Sequence, residues 1–233
     1  MNVVYRKGDK MEEDSMTLSY ALYWSFRSPY SYMVAPRLLE LQRTHNVECN
    51  VRPVYPLAVR TPGFFQARDP LWVPYLMMDV YREAAFLGLP FRWPRPDPVQ
   101  MNRDGTYPKE QPYIHRLTHM GVAAAEQGRG LEYLVEVSAV IWSGQVTGWP
   151  EGDHLRDAAE RAGLDHDALG VAVDADPARF AAIVERNQVD QRAAGHWGVP
   201  MMHFGGEAFF GQDRFDQLKW RMEQQGLAQR TAQ

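Results

Sequence analysis

Apolar and polar positions follow different periods along the chain, and the changes of period mark its organisation. Residues 18–26, LSYALYWSF, form an apolar and aromatic run of strand length. In the next stretch, PYSYMVAPRLLELQRTHN, residues Met33, Val34, Leu38, Leu39 and Leu41 recur at helical spacing, and VECNVRPVYP returns to an alternating, strand-like pattern. The chain thus opens as strand, helix, strand, a unit that pairs two parallel strands through a crossover. The proline- and aromatic-rich segment PLAVRTPGFFQARDPLWVP predicts a loop. From residue 71 to about residue 191 the spacing is almost wholly helical. One segment covers 75–87 and stops at Gly88 and Pro90; a second runs from about 112 to 127, beyond the connector PFRWPRPDPVQMN. The runs LEYLVEVSAVIWSGQ, DHLRDAAERAG, DHDALGVAV and DPARFAAIVERNQVDQRAA follow, several opening on an aspartate suited to capping free N–H groups. The period changes back at PMMHF and EAFF, two short apolar runs around Gly205-Gly206 that predict a hairpin, and QDRFDQLKWRMEQQG closes as a helix.

Charge and composition narrow the functional classes. A chain of 233 residues that is 45% hydrophobic can bury a sizeable core. Its net charge of −4 provides no basic field to draw it onto nucleic acid or an anionic membrane, so neither is an expected partner. The opening residues MNVVYRKGDKMEEDS lack the apolar core of a signal peptide, and no apolar run approaches the roughly 18 residues of a membrane span. A cytoplasmic protein with a flexible tail over residues 1–16 is expected. The single cysteine, Cys49, cannot form an internal disulfide and reads as a buried structural thiol. His115 and His119 have metal-ligand spacing but no third ligand, so no metal is expected. Neither G-x-G-x-x-G nor G-x-S-x-G occurs.

Three short stretches carry candidate chemistry. Ser28-Pro29-Tyr30-Ser31 lies at the corner from the first strand into the first helix. A serine before a proline caps a helix, and the helix N-terminus favours an anion through its free N–H groups and dipole. Ser28 can therefore donate a hydrogen bond to a thiolate brought by a ligand. It has no nearby histidine to make it a nucleophile. Gly198-Val199-Pro200 opens the hairpin and, taken alone, reads as the end of the preceding turn. In this order of elements it resembles the place where thioredoxin-like proteins keep a cis-proline, which implies that the main chain of Val199 pairs with a peptide-like ligand. FFGQDR, residues 209–214, joins the last strand to the last helix; Gln212, Asp213 and adjacent N–H groups suit the ammonium and carboxylate ends of an amino acid, or are caps.

The order of elements resembles a thioredoxin-like domain, β-α-β then β-β-α, with a large all-helical domain inserted in the middle. By that reading residues 17–62 and 195–227 form the discontinuous α/β domain, 63–194 the insertion and 228–233 a C-terminal tail. S-P-Y-S stands where thiol redox relatives carry C-x-x-C. Together with G-V-P and F-x-G-x-D-R in this order, it resembles the 2-hydroxychromene-2-carboxylate isomerases and kappa-class glutathione transferases, relatives of the DsbA group, from about residue 18 to 226. The segment YLMMDVYREAAFLGLP resembles the first inserted helix of that family. The resemblance implies glutathione as cofactor, with its sulfur at Ser28, its backbone along Val199 before a cis Pro200, and its γ-glutamyl end at Phe210, Gly211, Gln212 and Asp213. It also implies a homodimer and a small aromatic substrate, for which Tyr30, Trp72, Tyr75 and Trp93 are the candidate pocket residues. Two positions depart from the family pattern: Thr61-Pro62-Gly63 replaces an expected asparagine, and Trp72 an expected lysine. Arg60 and Arg68 are the candidates to replace them as carboxylate partners.

The function that follows is a glutathione-dependent isomerase of an aromatic enone or chromene-type carboxylate in aromatic degradation. The alternatives are a kappa-like transferase that releases a conjugate, and a non-catalytic thioredoxin-fold binding or scaffold protein. A disulfide oxidoreductase lacks its C-x-x-C.

Overall fold

The computed structural model describes residues 17–230. The expected tail over residues 1–16, and residues 231–233, lie outside them. The strand-helix-strand opening is β1 (Leu18–Trp24), α1 (Pro29–Thr44) and β2 (Val47–Pro53), with β1 and β2 parallel from Leu18 opposite Val47 to Trp24 opposite Pro53. The loop predicted next holds one helical turn, α2 (Leu57–Arg60), whose last N–H groups reach the carbonyl of Pro56, a residue preset for a helix entry. Then come α3 (Trp72–Phe86), α4 (Ile114–Glu126), α5 (Gly130–Trp142), α6 (His154–Arg161), α7 (His166–Ala175) and α8 (Pro177–Ala193). Helix α3 starts three residues before the predicted position because Pro74 falls in its first turn, where a missing N–H costs no helical bond. The hairpin is β3 (Met201–Phe204) and β4 (Glu207–Phe210), and a 3-10 turn (Gln212–Arg214) precedes α9 (Phe215–Glu223).

The sheet order is β2-β1-β3-β4, with β3 antiparallel to both β1 and β4. Helices α4, α5 and α8 pack on β2, α9 on β3 and β4, and α1 against α3, α5 and α9. One apolar cluster joins Leu22 and Trp24 of β1, Met33 and Leu38 of α1, Ile114, Leu134 and Trp142 of α4 and α5, Phe180 of α8 and Leu218 of α9. The indole N–H of Trp142 donates to the carbonyl of Phe26 (2.9 Å), fixing α5 to the end of β1 just before the S-P-Y-S corner. Residues 228–230 run antiparallel to 44–46, with Gln229 bridged to His45. Among the described residues no helix is long and apolar enough to cross a membrane.

Candidate functional site

Ser28 is the N-cap of α1, in extended backbone, with Pro29 at the first helical position. Its Oγ accepts from the Ser31 N–H at 3.2 Å and donates to the Val199 carbonyl at 3.3 Å. The two motifs, 171 residues apart in sequence, therefore meet through one side-chain hydrogen bond. The Val199–Pro200 peptide is cis. Four successive carbonyls at this corner are held by donors from elsewhere. Trp197 O accepts from Arg60, Gly198 O from Gln191 Nε2 (2.6 Å), Val199 O from Ser28, and Pro200 O from the Gly211 N–H (2.9 Å). Such a main chain is fixed in advance for a ligand that pairs with it. Among the described residues the Val199 N–H has no acceptor.

A cleft of about 480 Å³ lies at this corner, lined by Tyr30, Tyr75, Val199, Phe210, Gly211, Gln212 and Asp213 together with Asp79, Arg82, Glu83 and Arg214. Two glycines shape its wall. At Gly198 a Cβ would stand 2.3 Å from the Phe210 ring, so only glycine lets Phe210 stack on His196. Gly211 has φ +105°, and a Cβ there would meet the carboxylate of Asp213. Asp213 itself pairs with Arg214 at 2.8 Å. Gln212 is buried, and its side-chain amide is already engaged: Oε1 accepts from Arg37 (2.8 Å) and Nε2 donates to Glu83 (2.7 Å). It braces the cleft and leaves Asp213, Glu83 and main-chain groups toward a ligand.

Sequence reasoning missed Asp79, Arg82 and Glu83. With Tyr75 they fall at i, i+4, i+7 and i+8 on α3, one face of a helix, which is the signal that could have found them. Asp79 accepts from the phenol of Tyr30 at 2.5 Å and pairs with Arg82, which also contacts the Tyr75 hydroxyl. Burial, and then the bond to Asp79, push the Tyr30 phenol well above its ordinary range, so it stays protonated.

The other candidates lie elsewhere. Trp72 packs on Phe64 and Phe65 and is not among the cleft residues. Trp93 stands edge-on to Trp142 and under Arg27, and its N–H donates to Asp97; it joins the core and the Arg27–Asp97 ion pair (2.8 Å) instead of the cleft. Of the two arginines, Arg60 is committed to Gln191 and the Trp197 carbonyl, and burial pulls its pKa down. Arg68 is exposed and lies on the Phe64 ring. Cys49 has its thiol pushed up to about 12 by burial, which leaves it protonated and unreactive near neutrality. His115 and His119 both pack on Tyr55, whose hydroxyl is 2.6 Å from His119 Nε2.

Comparisons with known proteins place the fold in one family. Over 217 residues the chain is 27% identical to a 2-hydroxychromene-2-carboxylate isomerase of Sphingobium xenophagum, covering 88% of this chain and 97% of that protein. Its fold is similar to the solved structure of a 2-hydroxychromene-2-carboxylate isomerase (TM-score 0.66, 20% identity, 89% of this chain and 96% of that one). It is also similar to the cytosolic disulfide reductase DsbM from Pseudomonas aeruginosa (TM-score 0.59, 16% identity, 89% and 98%). The family model of the DSBA-like thioredoxin domain matches residues 21–223, and the chain belongs to that family.

Proposed function

We propose that this protein is a glutathione-dependent isomerase of an aromatic enone or chromene-type carboxylate. The observation that carries the reading is the Ser28 hydroxyl, at the N-terminus of a 16-residue helix, turned onto the carbonyl of Val199, which lines the cleft although Ser28 itself does not. A ligand offering a main-chain N–H to that carbonyl and a thiolate to Ser28 displaces one long hydrogen bond and forms two. The helix N-terminus and the Ser28 O–H then favour the thiolate over the thiol. Asp213 and Glu83 suit the ammonium of the γ-glutamyl group, and the N–H groups opening the 3-10 turn suit its carboxylate.

In the reaction the thiolate forms an S–C bond at the enone β-carbon as the C=C π pair moves through to the carbonyl oxygen. The former double bond rotates as a single bond. Collapse of the enolate then breaks the S–C bond and returns the electron pair to sulfur, so the thiolate is regenerated and an isomer leaves. Tyr30 lines the cleft with its phenol O–H donated to Asp79, and it stabilises the developing oxyanion only by exchanging that acceptor for the substrate oxygen. If expulsion of the thiolate does not occur, the same site releases a conjugate, as a kappa-like transferase does. The 27% identity to an isomerase favours the first outcome. A reducing cytoplasm and a homodimer belong to the same proposal. The competing reading is a non-catalytic binding protein, favoured by the engagement of the Gln212 amide with Arg37 and Glu83.

Calorimetric titration of glutathione at about pH 7, in two buffers of different ionisation enthalpy, tests the reading. Binding accompanied by proton release is expected for the wild type, with the release abolished in Ser28→Ala. Absence of binding up to millimolar glutathione sinks the proposal.

A further inference from the structure

A strip of aromatic rings runs in contact from the segment after α2 to the cleft. Phe64 meets Trp197 edge-on with centroids 5.3 Å apart, Trp197 stacks on His196 at 5.1 Å, and His196 stacks on Phe210 at 3.9 Å. Trp72 extends the outer end, edge-on to Phe64 at 6.3 Å. Three of these rings stay substantially in water: Trp72 is 37% exposed, Trp197 36% and Phe210 42%. Arg68 lies over the strip, its guanidinium carbon 4.1 Å from the Phe64 centroid and 6.0 Å from that of Trp197.

The pairing of this arginine sets it apart from its neighbours. Arg82 and Arg214 each have a carboxylate partner, and Arg60 is buried against carbonyl oxygens. Among the described residues the Arg68 side chain makes no ion pair and no hydrogen bond, and the carboxylate beside it in sequence, Asp69, accepts instead from the Leu71 N–H at 2.8 Å. An arginine held over an aromatic ring by its positive charge keeps its fork of donors free for a carboxylate. The exposed rings offer a stacking surface for a planar ligand.

We infer that Arg68, seated on the buried Phe64 ring, and the exposed Trp197 ring bind a planar aromatic carboxylate, with the acid on the guanidinium and the ring on the Trp197 indole. This rests on the reading of the cleft as a thiol site and names the place of the second substrate. Trp197 stands two residues before Val199, so their α-carbons are at most about 7 Å apart. An aromatic acid held on the Trp197 ring is therefore bound on the same loop as the corner where Ser28 meets Val199. The recognised chemistry is a carboxylate, which glutathione also carries, and the experiment separates the two sources.

Trans-cinnamate, uncharged cinnamamide and glutathione are titrated separately into the wild type, Arg68→Gln, Arg68→Lys and Trp197→Leu. The expected result is that the Kd of cinnamate rises about tenfold or more in Arg68→Gln, while that of glutathione changes by less than roughly twofold. Cinnamamide is expected to bind the wild type as weakly as cinnamate binds Arg68→Gln. Arg68→Lys, which keeps charge but loses the fork, should fall between, and Trp197→Leu should weaken both aromatic ligands. Equal cinnamate affinity in wild type and Arg68→Gln overturns the inference, as does failure of cinnamate to bind the wild type at millimolar concentration. Loss of glutathione affinity in place of cinnamate affinity also overturns it, since Arg68 would then hold the thiol's carboxylate. Arg68-dependent cinnamate binding with no glutathione binding to any of the proteins leaves the aromatic acid site standing and removes the thiol reading.

Discussion

Ser28 and Ser31 are one turn apart in the same corner, and their hydroxyls have opposite surroundings. The Ser28 Oγ has a donor and an acceptor, whereas the Ser31 Oγ is buried with no partner. A buried hydroxyl without a hydrogen bond costs about 1–3 kcal/mol, so Ser31→Ala should hold or raise stability by about 1 kcal/mol. Ser28→Ala removes a helix cap and should cost about 1 kcal/mol. For a chain of this size each such change moves the thermal midpoint by roughly 2–4 °C, in opposite directions, and calorimetric melting of the two variants reads it. A drop in Ser31→Ala would show that this hydroxyl is bonded after all. The four letters S-P-Y-S single out Ser28 as the cap by the proline that follows it, yet they do not show where its O–H goes or that Ser31 is left without a partner. That difference comes from Val199, brought in by the fold. The same limit applies to Arg60 and Arg68, equivalent as letters in one loop and separated only by which of them the packing buries.

At the level of elements, local periods made the strands and helices legible, because each buries a face at a spacing set by its own geometry. The cleft face of α3 was harder to see. Tyr75, Asp79, Arg82 and Glu83 look like an ordinary solvated stripe until β4 and the 3-10 turn are placed opposite them. The corner between α8 and β3 depends on a different local fact, the contact of Gly198 with Phe210. A methyl group at Gly198 must displace the half-exposed Phe210 ring from His196, and losing such a ring pair typically costs about 0.5–1.5 kcal/mol. Gly198→Ala is therefore expected to unfold at lower urea concentration and to bind glutathione more weakly. Gly198→Ala with Phe210→Leu should recover most of the lost stability, because the smaller side chain vacates the contested space. Equal midpoints for wild type and Gly198→Ala would show that the corner yields without cost.

Across the whole molecule the apolar cluster is continuous from β1 through α4, α5 and α8 to α9, so strands and helices share one core and the stability of either depends on the other. Four histidines are set into or against this body. Burial holds the imidazoles of His115, His119, His166 and His196 below their ordinary range, with the charge of His115 adding to the effect on His119. In the unfolded chain these groups bind protons near pH 6.5, while the folded chain keeps them neutral to lower pH. The unfolded state therefore carries more protons between those values, and stability rises with pH across that window. The contribution is complete above about pH 6.5 and is lost as pH falls through the folded-state pKa values. Asp104 and Asp167, whose carboxyls are lowered, act only below about pH 4 and leave the window to the histidines. Urea midpoints should accordingly fall between pH 7 and pH 5. His119 is the most informative to remove, since it is buried, hydrogen-bonded to Tyr55 and stacked on Phe180. His119→Gln keeps a partner for the Tyr55 hydroxyl but cannot titrate, so its midpoint should be lower than wild type at pH 7 and decline less on acidification. A decline as steep as that of the wild type would place the acid sensitivity elsewhere in the molecule.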